Sequence, residues 1–150
     1  MTIRRVVSAA LGLFVVASVI RVFAGGAAGA PAAAEAAGDR VVAYYFHGNR
    51  RCTTCNTIEA RARETLSAAF PEAWRTGRLE WRTVNMDAPE GAAYRERYDL
   101  YSSTLLLSDV EGGEERRWLE LDEVWLLVDD EAGFREYVVA QAREYLGEGP

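Results

Sequence analysis

Residues 41–55 read VVAYYFHGNRRCTTC: an apolar run, a Gly-Asn break, two arginines and a Cys-x-x-Cys pair. The run from Val41 to His47 is β-branched and aromatic without polar alternation, as in a strand buried on both faces. Gly48 and Asn49 end it. After Cys52, the residues Ile58, Ala62, Leu66 and Ala69 recur at helical spacing as far as Phe70, and Pro71 closes or kinks the helix. Strand, short loop, Cys-x-x-Cys and long helix put Cys52 at a helix N-terminus. Unpaired backbone N–H groups and the helix dipole there favour a thiolate over a thiol. Cys55 follows one turn later, within disulfide reach and shielded.

Downstream, Leu79 to Met86 reads as a second strand, followed by a turn at Asp87-Ala88-Pro89 and a short helix from Ala92 to Tyr98. A third strand starts over Thr104 to Leu107, Gly112-Gly113 makes a hairpin turn, and Arg116 to Leu119 forms a fourth strand. Helical stretches are expected at Asp122 to Val128 and at Glu131 to Leu146, the latter lined by Phe134, Val138, Ala142 and Tyr145. The order is βαβαββα, an α/β domain with a central mixed sheet flanked by helices.

Upstream, Arg4 and Arg5 precede an uncharged, mostly apolar run from Val6 to Ile20. Residues 1–23 thus read as a signal peptide or an N-terminal membrane anchor, and the rest as exported. Residues 24–38 are almost wholly Ala and Gly, a flexible tether. The folded domain is expected over 39–150.

Composition excludes much. The 150 residues carry 17 cations and 23 acids, a net charge of -6, which argues against a nucleic-acid binder. All 17 cations are arginine, so lysine Schiff-base and P-loop chemistry are excluded. A lone histidine, His47, excludes two-histidine metal motifs, and two cysteines cannot form a disulfide scaffold or a four-thiolate zinc site. What remains is thiol–disulfide exchange: Cys52 attacks a partner disulfide and Cys55 resolves the mixed disulfide. The alternative is a carrier of a thiophilic ion, monovalent copper or arsenic, using Cys52, Cys55 and His47. A structural disulfide without turnover is the plainer reading of the pair.

Three further stretches, Val41 to Phe46, Arg78 to Asp87 and Tyr98 to Leu107, occur in the order found in the thioredoxin-like superfamily, which the sequence resembles over residues 40–146. More narrowly, FHGNRRCTTC resembles a small exported bacterial thioredoxin-like family labelled as an accessory subunit of nitrophenyl-compound reduction. The resemblance implies a redox-active disulfide with no further cofactor and a disulfide-bearing or dithiol protein partner. A partner reductase served by dedicated electron transfer is a third possibility, in a monomer located in the periplasm or at the membrane.

The departures are specific. Ser103 stands where the family carries a cis-proline beside its disulfide. The peptide before Ser103 is expected to be trans, since a non-proline cis bond costs about 2.5–4 kcal/mol. In the family that proline also keeps metals off the thiols, so a serine here favours the metal alternative unless it is only a turn residue. Where the family buries an acid beneath the resolving cysteine, this strand offers Tyr45 or Phe46. His47 is the candidate to move protons instead, or else a hydrogen-bonded strand-end histidine. Thr53-Thr54 replaces the family's Gly-Pro, and Arg51 stands where an aromatic precedes the first cysteine.

Trp74, Trp81, Trp118 and Trp125 read as packing residues. Charge is asymmetric: Arg40 to Arg63 balances to +4, and Asp109 to Glu131 to -8. Arg50 and Arg51 are therefore expected to lower the Cys52 pKa and steer anionic partners to it.

Overall fold

The computed structural model describes residues 39–148. The expected export segment 1–23 and tether 24–38 lie outside the described residues. Among the described residues no helix is long and apolar enough to cross a membrane.

Strand β1 (Arg40–His47) lies inside a four-stranded sheet. It pairs parallel with β2 (Leu79–Asn85) and antiparallel with β3 (Thr104–Glu111), which pairs antiparallel with β4 (Glu114–Glu120). The order is β2-β1-β3-β4. The β1–β2 crossover carries α1 (Thr53–Ala69) and α2 (Pro71–Thr76). The expected single helix is thus two. Phe70 leaves helical geometry, Pro71 opens α2, and Gly77 ends it in the left-handed region at φ 77°.

The unbroken apolar run of β1 follows from burial on both faces. Val41, Ala43 and Tyr45 join Leu105 and Leu107 beneath α1, through Ile58, Ala62 and Leu66, and beneath α4 (Glu131–Tyr145), through Phe134, Val138 and Ala142. Val42, Tyr44 and Phe46 face the other way, onto Met86, Tyr98, Leu100 and Leu106, with Tyr94 of α3 (Ala92–Arg97) packed alongside. Each fully buried large side chain contributes about 1.5–3 kcal/mol, so both layers are needed at this size.

Two elements differ from expectation. The β3–β4 hairpin is tighter, with Gly112 and Gly113 alone between the strands. Their φ of 59° and 87° match a two-residue turn that twists with its strands. The stretch from Asp122 is only a 3-10 turn, Asp122–Trp125. Leu121 N donates to Leu105 O at 2.8 Å and Val124 is buried, fixing the chain to the core. Asp130 then caps α4, accepting from Gly133 N at 3.0 Å.

The register sets the working end. His47 lies opposite Asn85, Phe46 opposite Thr104, and Leu106 opposite Glu120. The loops after β1, β2 and β4 and the loop before β3 therefore emerge from the same end of the sheet.

Candidate active site

Cys52 caps α1. Its backbone is extended (φ -90°, ψ 161°), and its Sγ accepts a hydrogen bond from Cys55 N at 3.0 Å. A helix leaves its first N–H groups without internal partners, so this sulfur occupies the place of an N-cap oxygen. The first turn of α1 holds no acidic residue to oppose negative charge there. Cys52 is exposed, whereas Cys55 is buried at 8% exposure. The two are disulfide-bonded with Cα atoms 5.1 Å apart. One sulfur faces solvent and its partner is covered, the asymmetry that a nucleophile and a resolving thiol require.

The loop before Cys52 is anchored to the loop after β2. Met86 N donates to His47 O at 2.8 Å, Asn49 N to Asp87 Oδ2 at 2.8 Å, and Asn85 Nδ2 to Asn49 Oδ1 at 2.8 Å. Sequence reasoning missed this clamp. Its signal was a set of polar residues, Asn49, Asn85 and Asp87, at the ends of two adjacent strands.

Beneath the pair lies Tyr45, wholly buried. Its hydroxyl donates to Cys55 O at 2.6 Å and is hydrogen-bonded to the Ser103 side chain. Burial raises its pKa, although the Ser103 bond and the Arg51 charge pull it down. The ring stacks on Trp81 with centroids 6.4 Å apart. The strand position where a carboxylate was missed therefore holds a phenol.

The other expected site residues divide. Ser103 does lie at the site, through Tyr45, and no peptide bond among the described residues is cis. His47 Nδ1 lies 2.9 Å from Gly48 O, the strand-end arrangement. Among the described residues no group of three or more His, Cys, Asp or Glu side chains is placed to hold a metal ion, so Cys52, Cys55 and His47 do not form a ligand set here. Arg51 departs from expectation. Its Nη2 pairs with Glu59 Oε2, one to two turns into α1, and Glu59 Oε1 accepts from Thr83 Oγ1 at 3.1 Å. Arg50 remains exposed.

The basic segment is similarly occupied, since Arg40 pairs with Glu80 at 3.2 Å and Arg61 donates to Val128 O. Of the four tryptophans, Trp74 and Trp81 pack on the core and Trp118 meets Tyr98 edge-on at 5.3 Å, while Trp125 is 36% exposed.

A parallel β-α-β crossover, an antiparallel hairpin added on the far side of β1, and a Cys-x-x-Cys at the crossover helix's start define one architecture. The fold is thioredoxin-like. The solved structures it resembles include thioredoxins. The Fasciola hepatica thioredoxin is 18% identical, with 68% of this chain and 81% of that one covered at a TM-score of 0.40. The Thermus thermophilus thioredoxin is 22% identical over 62% and 74%, at a TM-score of 0.40. Thioredoxin f2 of Chlamydomonas reinhardtii is 13% identical over 61% and 79%, at a TM-score of 0.38. No family model matches the sequence, and no curated protein matches it. At these similarities the assignment rests on strand order and connection. Within the thioredoxin-like frame, Cys52 and Cys55 occupy the redox position, and Tyr45 with Ser103 forms the floor beneath them.

Proposed function

We propose that this protein is an exported thiol–disulfide oxidoreductase in which Cys52 is the nucleophile and Cys55 the resolving thiol. The observation that carries the reading is the asymmetry of the pair: an exposed sulfur at a helix N-cap, bonded to a buried one. In the reductive direction, the Cys52 thiolate attacks one sulfur of a partner disulfide R–S–S–R′, and R′–S⁻ leaves and takes up a proton. Cys55 then loses its proton and attacks Cys52 Sγ, which releases R–S⁻. The protein dithiol is oxidised by two electrons and the partner disulfide is reduced by two. The reverse sequence introduces disulfides.

The partner is a protein bearing a disulfide or a dithiol, met outside the cytosol by a monomer that the N-terminal segment exports or anchors. Periplasmic placement follows from the same segment. The narrower resemblance adds service to a nitrophenyl-reducing enzyme as one such partner.

The test is equilibration of the purified protein in glutathione buffers, with the thiol state read by mass. A fully reversible two-electron transition, together with reduction of a model disulfide that Cys52→Ser abolishes, supports the reading. A pair that opens only when the protein unfolds would overturn it.

A further inference from the structure

The loop at Ser103 and the turn carrying Cys55 belong to different elements, yet one buried atom joins them. The Tyr45 hydroxyl donates its proton to Cys55 O at 2.6 Å and is also hydrogen-bonded to the Ser103 side chain. Tyr45 is wholly buried and Ser103 half-buried, so bulk water does not replace these bonds freely. A phenol that gives its only proton to the carbonyl can still accept one, which assigns the Ser103 hydroxyl as donor to it. Tyr45 is held from the side by its stack on Trp81, so the oxygen cannot drift from Cys55 without breaking that contact.

We propose that Tyr45 and Ser103 form a hydroxyl pair that positions Cys55 for the resolving step, linking the resolving thiol to the Tyr101–Ser103 loop. This inference rests on the oxidoreductase reading. Resolution requires Cys55 Sγ to approach Cys52 Sγ in line with the departing sulfur, and the bond to Cys55 O fixes the turn from which that sulfur projects. The Cys55 proton passes through solvent and ends on the released thiol, so the pair itself neither gains nor loses a proton. Attack by Cys52 on the partner is different. Its sulfur projects into solvent from the N-cap and bonds to Cys55 N, not to the hydroxyl pair. The two steps of exchange should therefore respond differently to loss of Tyr45 Oη.

Loss of one buried hydrogen bond corresponds to about three- to tenfold in rate. The experiment is single-turnover stopped flow of the full chain, reduced, with an aromatic model disulfide, which resolves mixed-disulfide formation from its release. Tyr45→Phe should leave formation within about twofold and slow release by about three- to tenfold. Ser103→Ala should slow release by a smaller factor, and Ser103→Thr, which keeps the hydroxyl, should restore it. The double variant Tyr45→Phe/Ser103→Ala should be no slower than Tyr45→Phe alone, because both changes break one connection.

Equal slowing of both steps, or unchanged release in Tyr45→Phe, would overturn the inference while leaving the oxidoreductase reading intact. Absence of any exchange in the wild type would remove both. Should Tyr45→Phe fail to fold, the Ser103 variants decide: release slowed by alanine and restored by threonine supports the link, and release unaffected by either refutes it.

Discussion

A single methyl group at residue 91 should loosen the clamp that holds the active-site loop. A Cβ there would lie 1.9 Å from Asn85 O, 2.7 Å from Asn85 C and 2.9 Å from Met86 Cα. All three atoms are backbone, so no side-chain rotation relieves the clash, and normal contact needs about 3.5 Å. Gly91 itself has φ -88° and ψ -16°, which alanine adopts readily. Conformational entropy alone would therefore make Gly91→Ala stabilising by about 0.4–1 kcal/mol. Sterics outweigh it. Overpacking costs about 1–3 kcal/mol, and moving Asn85 and Met86 strains their bonds to Asn49 and His47, each worth about 0.5–1.5 kcal/mol.

The net expectation is a loss of about 2–4 kcal/mol. Urea titration of the oxidised protein, followed by tryptophan fluorescence, should show the midpoint falling by about 1–2 M with an unchanged slope. A midpoint within about 0.3 M of wild type would refute the argument, because the two backbones would then have had room to part.

Other consequences follow from the charge networks and the core. Glu115 accepts from Ser108 Oγ at 2.6 Å, Tyr98 Oη at 2.5 Å and Arg97 Nη2 at 2.7 Å. Burial alone would raise its pKa, but these three donors outweigh burial and hold it below the ordinary carboxylate value. Its stabilising contribution is complete above that ordinary value and lost as pH falls through the lowered one. Glu115→Gln should consequently be less stable than wild type at neutral pH by urea titration, and the gap should narrow in acid. Arg50→Gln should slow exchange with glutathione disulfide about two- to fivefold at low salt, and less at high salt, in stopped flow. Arg51→Gln should do less, because Arg51 is already paired with Glu59. In proteins that both lack the disulfide, Cys52→Ala should be less stable than Cys52→Ser by about 1 kcal/mol, since serine keeps an N-cap acceptor; equal urea midpoints would contradict the cap. Phe134→Ala, which empties a wholly buried site beneath the sheet, should cost about 3–5 kcal/mol in the same titration.

Where periodicity was strong, the sequence was sufficient. The apolar run of β1, the helical spacing of Ile58, Ala62 and Leu66, and the Gly112-Gly113 turn each allow one local structure, and together they allow one sheet order. The split at Phe70 and the short turn at Asp122 were less legible, because tertiary anchoring at Leu121 and Val124 decides how far a weak helical signal extends. In the site, Cys52 and Cys55 were legible from spacing alone. Arg51 was not: its side chain can reach the sulfur or Glu59, and sequence distance does not distinguish the two. Tyr45 read as core because a buried tyrosine and a buried phenylalanine carry the same apolar signal. Only the fold reveals that its hydroxyl meets Cys55 O and Ser103.

The central claim is that Cys52 and Cys55 have different tasks. Trapping tests it most directly: reduced Cys55→Ser and reduced Cys52→Ser are each mixed with a disulfide substrate and analysed by mass spectrometry. The account predicts a stable mixed disulfide on Cys52 in the Cys55→Ser protein, formed far faster than any adduct on Cys55 in the Cys52→Ser protein. Equal rates of adduct formation at the two cysteines, or no adduct on Cys52, would contradict it.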